Sequence, residues 1–235
     1  MGSGTSRRRR VKSPRQPGVK GEPSLESIAR DFSGQRGKND CFVSGVLNIS
    51  SEFARRRHWP QVKLTRNEAR EITLYQGTVG SIAPKVAPAW TALLKRSGMH
   101  QDLRIGEITL ADATLKAVER VIHLEQASFP LVGVSPKYQL SSAPPYRVAK
   151  PPIGDLDDLP DHVLVAMRLS EKHLRAYDPF SHRGAVDGGK CIVDIPAAQF
   201  QEWWHDAQAV RGWMVWIEET EIPSLYAYDE ARGSE

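Results

Sequence analysis

The sequence predicts an α+β domain, with N-terminal helices packed on a C-terminal antiparallel sheet. Two observations predict it. Apolar residues recur at three-and-four spacing at 25–32, 41–53 and 111–126, and short strand-like runs, one with Val163, Val165, Met167 and Leu169 on one face, fill the last third. A third supports a single unit: no internal repeat and no composition break interrupts residues 25–235.

Residues 1–24 are rich in Gly, Ser, Pro and Arg and have no apolar periodicity, so they cannot bury enough surface to offset the entropy of ordering them. They read as a disordered basic arm suited to loose contact with polyanions. An amphipathic run follows at Leu25, Ile28, Ala29 and Phe32, with Ser24 placed to cap it and Glu26 in its first turn. After the polar stretch 33–40, Phe42, Val43, Val46, Leu47, Ile49 and Phe53 repeat at helical spacing. This predicts a helix opening at or just after Cys41, with Asp40 as its cap.

Residues 55–110 carry a weaker signal: an arginine cluster at 55–57, a helix over 65–75, and an apolar segment around Trp90, Leu93 and Leu94. A helix is predicted over 111–126, where Ala111, Leu115, Val118 and Ile122 share one face. Asp112 falls in its first turn, and Phe129-Pro130 ends it. Residues 131–134 form a short strand, and 141–160 a Pro-rich loop with Asp155, Asp157 and Asp158.

Alternation of Val163, Val165, Met167 and Leu169 predicts a strand over 163–169. Ser170-Glu171-Lys172 turns it into a second at 173–177. A further strand spans 190–194, Pro196 opens a helix over 197–205, and a last strand covers 213–218.

Composition narrows the functional classes. The chain of 235 residues is 40% hydrophobic and 26% charged, which fits a folded protein. No apolar run approaches the roughly 18–20 residues needed to span a bilayer. Two cysteines exclude a disulfide-dense scaffold, so a cytoplasmic protein without a membrane span is expected. The net charge is +4, but residues 1–20 contribute +7 and leave −3 for residues 21–235. Nucleic acid is therefore not the expected partner of the folded domain.

The histidines at 58, 100, 123, 173, 182 and 205 show no paired metal spacing, and no glycine-rich phosphate loop is present, since residues 184–189 lack a strand-to-helix context. No metal or cofactor is expected. Trp203, Trp204, Trp213 and Trp216 read as core or cleft rim, and Cys191 as a structural residue inside a strand.

Four residues carry the chemistry: Gln35, Cys41, His162 and Asp178. A cysteine at a helix N-terminus meets the positive end of the macrodipole and unpaired N–H groups, which favour a thiolate. A thiolate attacks a carbonyl carbon, a histidine protonates the leaving amine, and a carboxylate holds the imidazole in the required tautomer. The Cys41 N–H and the Gln35 amide would serve the tetrahedral oxyanion, each worth on the order of 100-fold to 1000-fold in rate.

The arrangement resembles the papain-like cysteine peptidases, in which a Gln-x5-Cys element opens the central helix and a histidine lies far downstream on the sheet. Five residues separate Gln35 from Cys41, and His162 lies 121 residues beyond the cysteine. Within that group the sequence is most similar to the bacteriocin-processing, or double-glycine, peptidases and their stand-alone relatives. Their motif has Asp before the Cys, as Asp40 is here, and a later His-x15-Asp-Pro, here His162 to Asp178-Pro179. The resemblance spans about residues 25–220. It implies a papain-like fold and a peptide or protein substrate, with catalytic Cys41, His162 and Asp178 and with Gln35 in the oxyanion hole.

Two departures matter. That family usually has Gly after the cysteine, where this chain has Phe42, expected to narrow the cleft or mark another substrate. Many double-glycine enzymes are fused to membrane transporters, and without such a segment a stand-alone enzyme is the expectation. Acyl transfer to an amine, as in transglutaminase-like enzymes, and a non-catalytic peptide-binding module are the alternatives.

Overall fold

The computed structural model describes residues 23–34, 36, 40–58, 64–73, 90–92, 94, 103–135, 137–140, 161–180 and 188–220. Most of the basic arm, Gln35, Leu93 and the Pro-rich segment 141–160 lie outside the described residues.

The elements in chain order are α1 (Leu25–Ala29), α2 (Cys41–Arg56), α3 (Arg66–Ile72), β1 (Leu103–Ile108), α4 (Leu115–His123), β2 (Leu131–Val134), α5 (Lys137–Leu140), β3 (His162–Leu169), β4 (His173–Tyr177), β5 (Ile192–Pro196), α6 (Ala197–His205) and β6 (Met214–Glu219). The six strands form one antiparallel sheet in the order β1-β6-β2-β3-β4-β5. The class is α+β, as the two periodicities predict. The chain does not run helices first and strands after, because β1 and β2 precede α5 and β3.

Both faces of the sheet are covered. On one face, Leu131, Val163, Val165, Met167, Tyr177, Val215 and Ile217 pack with Val43, Val46, Ile49 and Phe53 of α2 and with α1 and α3. On the other, Val132, Leu164, Ala166, Leu174, Val193, Ile195, Met214 and Trp216 pack with Val118 and Val121 of α4 and with Phe200, Trp203 and Trp204 of α6. Strands closed in on both sides read as continuous apolar runs, and β3, HVLVAMRL, is one.

Helix α2 is the organising element. Thirteen of its 16 residues are buried, so it is enclosed on nearly every side. Gly45 lets it lie close to the sheet, since a Cβ there would come 2.9 Å from Leu131 Cδ2.

Several local expectations are corrected. Asp40 occupies the cap position of α2, but its side chain makes no cap bond. The helix expected over 111–126 is a 3-10 turn at Leu110–Asp112 followed by α4, which Thr114 caps by accepting from Ala117 N at 3.1 Å. Leu124 closes α4 well before Phe129-Pro130. Cys191 ends a 3-10 turn instead of lying in a strand, and Pro196 is the last residue of β5, before α6. The cap of α1 stands as read: Ser24 Oγ accepts from Ser27 N at 3.1 Å. Among the described residues, no helix is long and apolar enough to cross a membrane.

Candidate active site

Cys41 is the first residue of α2 and is 8% exposed. The first intrahelical bond at this end runs from Ser44 N to Asp40 O at 3.0 Å. The N–H groups of residues 41–43 thus lie in the turn that has no intrahelical acceptor.

His162 opens β3, and Asp178 directly follows β4. The two strands are antiparallel neighbours, so their hairpin folds both residues back onto one end of the sheet. His162 Nε2 and Asp178 Oδ1 are 2.7 Å apart, with the histidine 1% and the aspartate 2% exposed. Cys41 lies near enough for its charge to act on the imidazole.

Two forces act on the imidazole. Burial disfavours its cationic form, and the charges of Asp178 and then Cys41, with their hydrogen bonds, act against burial and prevail. The His162 pKa is pushed from 6.5 up to about 10. An imidazolium is therefore the resting form at neutral pH.

Asp178 is held at both oxygens. Phe180 N donates to Oδ1 at 2.8 Å and Tyr138 Oη donates to Oδ2 at 2.9 Å, while the Asp178 N–H donates to Cys191 O at 3.0 Å. Cys191 thus supports the site through its backbone.

No protein-family model and no curated protein matches the chain. Function is therefore argued from the arrangement itself.

Of the four residues singled out from sequence, Cys41, His162 and Asp178 come together, and Gln35 lies outside the described residues. Its neighbours are anchored. Ser33 exchanges two hydrogen bonds with the Asn48 side chain, at 2.7 and 3.1 Å, and Gly34 O accepts from Arg66 Nη2 at 3.0 Å and Ser44 Oγ at 3.2 Å. Arg66 also binds the Asp40 carboxylate, which accepts from Arg36 N at 3.3 Å. Asp40 thus ties down the approach to Cys41 in place of capping α2.

Phe42 is a core residue. It is 2% exposed and packs into the core against Trp213.

Sequence reading missed Tyr138, Phe180 and Arg66. Phe180 had a signal, because an Asp followed two residues later by a backbone donor is an Asx turn. Tyr138 and Arg66 reach the site from distant segments and left no spacing to detect. Among the described residues, no three of His, Cys, Asp and Glu group as metal ligands would. A cavity of about 800 Å³ lies along α2, lined by Ile28, Phe32, Leu47, Glu52 and Arg55. None of Cys41, His162 or Asp178 lines it.

Proposed function

We propose that the chain is a thiol hydrolase of papain-like type that cleaves a peptide or isopeptide bond. The observation that carries this reading is the buried series Cys41, His162, Asp178, assembled from the start of a central helix and the end of a two-stranded hairpin. Support for the papain-like comparison comes from the placement of the cysteine at the head of a helix enclosed against an antiparallel sheet that carries the histidine.

In this reading the reacting form is a Cys41 thiolate beside a protonated His162. The sulfur attacks the substrate carbonyl carbon, and the oxyanion is met by the Cys41 N–H and the Gln35 amide. His162 gives its proton to the departing amine, leaving an acyl-enzyme. The neutral imidazole then takes a proton from water, which attacks the acyl carbon and releases the acid and the free sulfur. Asp178 keeps the ring oriented through both half-reactions.

Iodoacetamide at pH 6 followed by adduct mapping tests the reading. Fast labelling confined to Cys41 and lost in His162→Ala is the expected result, together with peptide cleavage that Cys41→Ala abolishes. Slow, equal labelling of Cys41 and Cys191 overturns it. Adding a primary amine to the cleavage assay separates the acceptors, since a conjugate in place of free acid identifies acyl transfer.

A further inference from the structure

We infer that Tyr138 is a positioning residue for the His162–Asp178 pair, fixing the carboxylate through its second oxygen and the imidazole through its face. The inference rests on the reading of His162 as the proton carrier and adds a fourth side chain to it.

A carboxylate bonded to an imidazole through one oxygen remains free to swing about its Cβ–Cγ bond, and each swing misdirects the ring. In this site Oδ1 receives His162 and Phe180 N, and the Tyr138 hydroxyl donates to Oδ2 at 2.9 Å. With donors at both oxygens, rotation of the group breaks at least one charge-assisted bond.

The same tyrosine also controls the ring it does not bond to. Its plane lies 7° from that of His162, with centroids 5.4 Å apart, and Phe180 meets the imidazole edge-on from another direction at 88°. A parallel aromatic face suits a cationic imidazole, because the negative face of the tyrosine attracts the charge. Tyr138 is 2% exposed, so this attraction acts away from water.

Tyr138 is itself immobilised. Its N–H donates to Ser135 O at 3.1 Å, Ser135 N donates to Trp203 O at 2.9 Å, and its ring meets Trp203 edge-on at 5.6 Å. The site is thereby referenced to α6, on the sheet face opposite α2. Phenylalanine would fill the same space, so what the hydroxyl adds is the bond to Asp178.

Tyr138→Phe keeps the ring and removes that bond. The expected result is a fall of about tenfold in the Cys41 alkylation rate by iodoacetamide at pH 6, with a displaced pH–rate profile. Nuclear magnetic resonance of the His162 ring should show faster exchange of its Nε2–H. In an Asp178→Ala background, Tyr138→Phe should change neither reading, because the residue acts through Asp178. A Tyr138→Phe protein with a lowered Tm but the wild-type pH–rate profile and Nε2–H exchange overturns the inference. An equal loss in the Asp178→Ala background does so too. The resonance readout does not depend on catalysis. If wild-type Cys41 proves unreactive, the hydrolase reading fails while Tyr138 is still judged by the exchange of the His162 proton.

Discussion

Phe42 stands edge-on against Trp213, ring centroids 5.2 Å apart at 90°, and so the residue after the proposed nucleophile belongs to the core. Trp213 in turn donates from Nε1 to Glu107 Oε1 at 2.7 Å, which links the first turn of α2 through that ring to edge strand β1. Phe42→Ala should therefore cost stability, about 3–5 kcal/mol for an enclosed aromatic. Iodoacetamide labelling of Cys41 in the folded variant should keep its wild-type rate. Urea unfolding and labelling measured together decide the matter: faster labelling with little loss of stability would mean that Phe42 shields the sulfur.

The raised pKa of His162 makes stability depend on pH in a definite direction. The folded-state value, about 10, lies above the unfolded value of 6.5, so the stabilisation is complete below pH 6.5 and is lost as pH rises through 10. Its size is on the order of a few kcal/mol. Urea unfolding of wild type and His162→Gln from pH 6 to pH 10.5 should show the wild type's advantage shrinking across this window. A difference that stays constant with pH would show that His162 is neutral in the folded protein.

What the sequence disclosed, and what it concealed, follows from the range of the interactions involved. Helix α2 was legible because its apolar spacing begins abruptly at Cys41, and the β3–β4 hairpin because a short polar turn separates two strand-like runs. Edge strand β1 was not, since Leu103 alone among its residues is fully buried and the rest show no clean alternation. Asp40 was misassigned for another reason. A local cap was the natural expectation for an aspartate before a helix, but an arginine 26 residues downstream captured its carboxylate, and no local pattern encodes that contact. The pairing of His162 with Asp178 was legible through motif spacing, whereas Tyr138 enters the same network from a four-residue helix with no pattern of its own.

Asp161, next to His162, should prove to be a loop anchor. Its Oδ1 accepts from Gln208 N at 3.0 Å, and its Oδ2 from Ala209 N at 2.6 Å and Val210 N at 3.1 Å. The loop so held sets Val210 over Gly133, where an added Cβ would meet Val210 Cγ2 at 2.2 Å. Asp161→Ala is expected to speed hydrogen exchange at residues 208–210 and to cost about 1–2 kcal/mol. Unchanged exchange at those three amides would show that the loop is held by its packing alone.

The contact between Arg66 and Asp40 gives the last prediction. Asp40 is fully buried, and the Arg66 side chain that pairs with it is 13% exposed and also reaches Ser44 Oγ at 3.2 Å and Gly34 O at 3.0 Å. Removing Arg66 leaves the buried Asp40 charge with only Arg70, at 4.0 Å, and the Arg36 N–H, a loss of up to about 3–5 kcal/mol, whereas removing both charges relieves most of that penalty. Arg66→Met should thus be strongly destabilising. Asp40→Asn introduced into the same chain should restore a large part of the loss, even though it is a second change to a buried site. Urea unfolding of both single variants and the double closes the cycle, and the expected coupling is well above 1 kcal/mol. Strictly additive losses would show that Arg66 acts mainly through Gly34 and Ser44. Because Asp40 is covalently joined to Cys41, the same Arg66→Met protein should also label more slowly with iodoacetamide at a temperature where it remains folded, and Asp40→Asn should not restore that rate.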